Sequence, residues 1–147
     1  MKLPGIFVVD TNILVAGLIS GRPDSPTTQI VDAMLDGRLI FLLSPELLQE
    51  YRLVLLRPKL LGLHGLNEEQ IDHLLTEITA NAIWRETPVA ATEQAPDPGD
   101  EHLWKLLATE PAAALITGDR LLLEQPPSHS SVLSPASYIE FFSALKS

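Results

Sequence analysis

The chain has no cysteine. That excludes disulfides, thiolate nucleophiles and zinc-thiolate sites, and it suits a reducing compartment. It has no apolar run approaching the roughly 20 residues that span a bilayer. The amino end, Met1-Lys2-Leu3-Pro4, lacks the apolar stretch and small-residue cleavage site of a secretion signal, so the expected location is the cytoplasm. Basic residues are scarce: 10 Lys and Arg stand against 19 Asp and Glu, for a formal net charge of -9. A field of that sign repels nucleic acid. Any nucleic-acid role must then rest on a local basic rim and on bound metal. Also missing are a G-x-S-x-G elbow, a phosphate-cradling glycine loop and a GK[ST] motif. The 4 histidines, His64, His73, His102 and His129, fall in loops or polar helix faces with no metal-ligand spacing among them. There are no internal repeats and no long low-complexity segment.

What is present is enough for a globular core. At 147 residues and 46% hydrophobic content, the chain reads as a single domain over 1–147, large enough to bury roughly two-thirds of its unfolded surface. A short apolar run, Gly5 to Val9, predicts a buried strand. A helix is expected from Thr11 to about Ile19, then a turn at Gly21-Arg22-Pro23-Asp24. Ser25 with Pro26 starts a second helix that Gly37 ends, with Ile30, Ala33 and Met34 on its inner face. Leu39 to Leu43 reads as a second buried strand. Ser44-Pro45-Glu46 opens a helix expected to reach Arg57 and stop before Pro58. Asn67 caps a further helix that turns Ile71, Leu74, Leu75 and Ile78 inward. Ala82-Ile83-Trp84 reads as opening a third strand, Thr87 to Gly99 as a connecting loop, and Asp100 to Thr109 as a helix. Ala113 to Ile116 is a small-residue strand, followed by a short helix with Leu121, Leu122 and Leu123. Ser131-Val132-Leu133 reads as an edge strand and Pro135 to Leu145 as a closing helix. Trp84 and Trp104 read as core or interface residues, not as stacking platforms. Alternating strands and helices imply a parallel sheet covered on both faces, with the carboxyl ends of its strands along one edge.

Acids recur at that edge. Asp10 directly follows the first strand, where it can cap the next helix or serve a site. Asn12 can orient it. Glu46 and Glu50 share a helix face. Glu46 suits the helix dipole, whereas Glu50 sits beside the apolar stripe and is the better candidate for function; its structural use would be pairing with Arg52 or Arg57. Asp97-Pro98-Gly99-Asp100-Glu101 is a dense acidic turn, in which Asp97 can shape the turn and Asp100 can cap the next helix. Thr117-Gly118-Asp119 repeats the strand-then-acid arrangement of Asp10. Several acids gathered without matching bases call for a cation.

In order, these are Asp-Thr-Asn after the first strand, Ser-Pro-Glu-Leu-Leu-Gln-Glu-Tyr opening a helix, Asp-Pro-x-Asp before a later helix, and Thr-Gly-Asp after a later strand. The series resembles the PIN-domain ribonucleases, especially the toxin components of bacterial toxin–antitoxin systems, from Phe7 to about Leu123. The resemblance implies a three-layer α/β/α fold with a mostly parallel twisted sheet, and RNA cleavage by metal-activated water with Mg²⁺ or Mn²⁺. By position it makes Asp10, Glu50, Asp100 and Asp119 the catalytic, metal-binding acids, with Asp97 an additional ligand. Asn12 and Thr117 match the supporting polar residues. Members of the family often carry another Asp where this chain has Gly99 or Glu101. Arg22, Arg57, Lys59, Lys105 and Arg120 are candidates for a basic rim that meets substrate phosphates; their alternative is ordinary solvated surface. A small antitoxin protein and a second copy of the chain are the expected partners. Two rival readings are a phosphatase-like hydrolase using Asp10 as nucleophile, which would want an acid where Asn12 stands, and a catalytically degenerate partner-binding domain.

Overall fold

The computed structural model describes residues 5–87 and 93–146, the last four without their side chains. Strand β1 is Phe7–Val9 and helix α1 Thr11–Ile19. Helix α2 is Pro26–Leu35, started by the Ser25 side chain accepting from Thr28 N, with Pro26 at its first position. Strand β2, Leu42–Leu43, leads through the Ser44 cap into α3, Pro45–Leu55. Helix α4 is Pro58–His64, and α5 is Glu68–Asn81, opened by a reciprocal capping box between Asn67 and Gln70. Strand β3 is Ile83–Trp84. After a 3₁₀ turn at Pro98–Asp100 come α6, Glu101–Ala108, and β4, Ala114–Ile116. Helix α7 is Arg120–Glu124, β5 is Ser131–Leu133 and α8 is Pro135–Lys146.

Every pairing between these strands is parallel. β4 lies between β1 and β5, in the register Val9 to Ile116 and Ile116 to Leu133. β2 pairs with β3, and a single bridge between Phe7 and Phe41 joins the two groups. Helices cover both faces in a three-layer α/β/α arrangement, as the alternation of elements predicts. β5 is the edge strand expected of it. The second strand is shorter than its apolar run: Leu39 and Phe41 are buried, but Ile40 is half exposed and the ladder proper holds only Leu42 and Leu43.

One helix departs from the sequence reading. Pro58 does not only stop α3; it is the first residue of α4, where its missing N–H costs nothing. α3 itself ends at Leu55, two residues before the predicted limit. Of the residues expected inward on α5, Leu74 is only partly buried. Part of the expected loop from Thr87 to Gly99 lies outside the described residues. Trp104 is core, whereas Trp84 is 42% exposed and donates its Nε1–H to Glu86. Among the described residues, no helix is long and apolar enough to cross a membrane.

Two glycines serve the backbone directly. Gly37 follows α2 with φ of 80°, a conformation that L side chains rarely adopt. Gly17 lets α1 lie against α2, since a Cβ there would stand 2.6 Å from Val31 Cγ2 and 2.8 Å from the Thr27 carbonyl oxygen.

Candidate metal centre

The parallel register decides where the first acid goes. Asp10 follows Val9, whose partner is Ile116, so Thr117 stands next to Asp10 across the ladder. The Asp10 amide continues the sheet by donating to Ile116 O at 3.0 Å. The side chain is buried but well supplied with donors. Oδ1 accepts from Thr11 N at 2.8 Å; Oδ2 accepts from Thr117 Oγ1 at 2.8 Å and from Asn12 Nδ2 at 3.2 Å. Asn12 also donates to Thr117 Oγ1, and its Oδ1 accepts from Gly118 N at 2.9 Å. Asn12 and Thr117 thus tie the ends of β1 and β4 together around one carboxylate. Burial pushes the Asp10 carboxyl above its ordinary value, and the donors from Thr117 and Thr11 offset part of that rise.

Glu50 reaches the same place from α3. Its Oε2 accepts from the Thr11 hydroxyl, and its Oε1 lies 3.5 Å from His102 Nε2 on α6. The His102 contact, then the Thr11 hydroxyl, hold the Glu50 carboxyl below its ordinary value in spite of partial burial. Glu46 stays outside, exposed beside Thr87. Arg52 does not pair with Glu50; it is engaged by Asp72 and Glu68. Behind the carboxylates, Tyr51 is fully buried and its hydroxyl donates to Val9 O.

Asp100 and Asp119 complete the group. Asp100 occupies the cap position of α6 without making a side-chain cap hydrogen bond, so its oxygens are not spent on the helix. Its pKa is pushed up to about 6, by burial first and then by Asp10, Asp97, Asp119 and Glu50. Asp119 caps α7 through Oδ1 and Leu121 N at 2.9 Å. Asp10, Glu50, Asp100 and Asp119 all line one open cleft of about 700 Å³, whose remaining wall includes Val15, Ile19, Val54, Arg57 and Leu60. Asp97 is not drawn into that cleft. It is exposed, and its Oδ1 accepts from Gly99 N in the turn. Of the basic residues considered, Arg57 lines the cleft; Arg22, Lys59, Lys105 and Arg120 do not. Arg22 is exposed beside Asp24, at 3.7 Å. A separate cavity of about 410 Å³, among Trp104, Leu107, Pro111 and His129, includes none of these acids.

The donor set fits a hard divalent cation: carboxylate oxygens, no thiolate, and a mutual repulsion that a bound cation relieves. Among the described residues, no three such side chains already stand close enough to hold one ion.

Two participants escaped the sequence reading. His102 does not lie on a polar helix face: its side chain is 15% exposed and turned toward Glu50. The Thr11 hydroxyl, given no site role by the sequence, bonds the distant Glu50 carboxylate. Both contacts join segments far apart in the chain, which no local pattern reveals. The other histidines stay outside the cleft. His64 braces the end of α4 against Leu55 O, His73 faces Glu77 on α5, and His129 sits by the second cavity.

A family model described as PIN domain matches residues 7–121, from the start of β1 to the start of α7. No curated protein matches the chain.

Proposed function

Because the chain belongs to the PIN-domain family, whose members are generally metal-dependent nucleases, we propose that it is an Mg²⁺- or Mn²⁺-dependent endoribonuclease and the toxin of a toxin–antitoxin pair. One observation carries this reading: four carboxylates from separate segments line a single cleft.

In this reading Asp10 and Asp100 hold the cation, with Glu50 and Asp119 beside them. The Thr117 hydroxyl and the Asn12 amide keep Asp10 aimed into the cleft. A divalent cation supplies charge neutralisation at the scissile phosphate and makes a coordinated water more acidic. No side-chain nucleophile is then required. Arg57, on the cleft wall, offers a guanidinium to a substrate phosphate. The open, acid-lined cleft also suits a basic segment of a small antitoxin protein. Exposed apolar side chains such as Leu53 and Leu63 offer surface for that partner or for a second copy of the chain.

A phosphatase-like use of Asp10 gains no support. Asn12 stands where a general acid would be wanted and cannot serve as one. The test is a titration of Mg²⁺ and Mn²⁺ into the wild type and Asp10→Asn, read by cation binding and by cleavage of a mixed RNA pool. Cation-dependent cleavage, lost in the variant, is expected. Cleavage that ignores the cation, or its absence from the wild type at saturating cation, overturns the reading.

A further inference from the structure

Both ring nitrogens of His102 are buried and lack a hydrogen-bond partner. A polar group left so is costly and calls for a reason. The ring projects from the first turn of α6, two residues after Asp100, toward the opposite wall of the cleft. There Nε2 stands 3.5 Å from Glu50 Oε1, just beyond an aligned hydrogen bond. The second oxygen of Glu50 is already taken by the Thr11 hydroxyl.

Resting on the reading that the cleft holds a divalent cation, we propose that His102 is a positioning residue that sets the Glu50 carboxylate for cation binding. With its hydrogen on Nε2, the ring donates to Oε1 once the walls approach by about half an ångström. Glu50 is then held at both oxygens, from α1 by Thr11 and from α6 by His102, and it cannot swing out to solvent. Because His102 and Asp100 share the start of α6, the movement that brings Asp100 toward the cation also closes the bond to Glu50. Partners of this outer kind contribute about 10- to 100-fold in metal affinity.

The experiment titrates Mn²⁺ into the wild type, His102→Leu, His102→Asn and His102→Gln, reading free Mn²⁺ by electron paramagnetic resonance. Circular dichroism confirms folding. Gln carries an N–H donor to about the position of Nε2, whereas the shorter Asn does not. Leu and Asn should weaken Mn²⁺ binding by about 10-fold or more, and Gln should stay near the wild type. In a Glu50→Gln background, His102→Leu should have no further effect. If Leu fails to fold, the contrast of Asn with Gln decides. Wild-type affinity in the Leu and Asn variants overturns the proposal. So does a directly bound nitrogen in the pulsed spectrum of the wild type, which would make His102 a ligand. A wild type that binds no Mn²⁺ at all defeats the cation reading itself, and this inference with it.

Discussion

Two sets of acids meet on α3 and are treated in opposite ways. On one face, Glu50 looks into the cleft shared with Asp10, Asp100 and Asp119. On another, Arg52 draws Asp72 and Glu68 of α5 into a paired surface cluster, with contacts of 2.8 Å. In the paired cluster, Arg52 holds the Asp72 carboxyl below its ordinary value. In the cleft, burial and neighbouring acids push Asp10 and Asp100 upward. The same carboxylate group thus stabilises the fold at Asp72 and strains it at Asp10 and Asp100. The second arrangement persists where something outside the chain can complete it.

The sharpest way to break this comparison is to neutralise one acid from each set. Asp10→Asn should lower RNA cleavage by at least about 100-fold, the scale of losing one preorganised electrostatic element, while circular dichroism and melting remain those of a folded protein. Asp72→Asn should leave cleavage unchanged and lower the melting temperature slightly, by an amount that high salt removes. Similar cleavage losses in both variants would mean that the cleft acids have no special standing.

A second, smaller contrast lies within α3. Glu50→Gln should impair cleavage more than Glu46→Gln, by roughly 10-fold, because only Glu50 enters the cleft. Assaying both on one RNA substrate settles the order, and the reverse result would transfer the role to Glu46.

The smallest expected effect is one of pH, and its sign separates Asp10 and Asp100 from Asp72; Glu50, held low by its His102 contact, acts as Asp72 does. Asp100 has a folded-state pKa of about 6 against an ordinary 3.8. The folded protein therefore holds more protons than the unfolded chain between these values, and stability falls as pH rises through that window. Asp10 acts in the same direction. Asp72 acts in the other: its contribution is present above its ordinary value and is lost as pH falls through the lowered one. Melting curves without divalent cation should show the advantage of Asp100→Asn over the wild type growing from about pH 4 to about pH 6. A constant difference across that range contradicts the assignment.

The sequence made the framework readable because most of its signals are local. Ser25-Pro26, Ser44-Pro45 and Asn67 each mark a helix start within a few residues, and each does so in the structure. Helix α4 was obscured because Pro58 carries the same letter whether it ends one helix or begins another. The order of the acids suggested their convergence, but not what surrounds them. That His102 faces Glu50, or that Thr11 reaches it, depends on how α1, α3 and α6 pack, and no spacing in the chain encodes it. The same holds for Asp97. Its Asp-Pro-x-Asp setting suggested a ligand, yet its carboxylate is engaged by the turn itself.

The buried bond from Tyr51 to the Val9 carbonyl links the residue after Glu50 to the residue before Asp10. It works as a spacer cast into the interior, so the gauge between those two acids is set by core packing and not by the surface. If the cleft closes on a cation as proposed, the movement is then expected on the side that carries Asp100. Guest cations would meet one fixed jaw and one that travels, and ions of different radius would be sorted by how far the second must move.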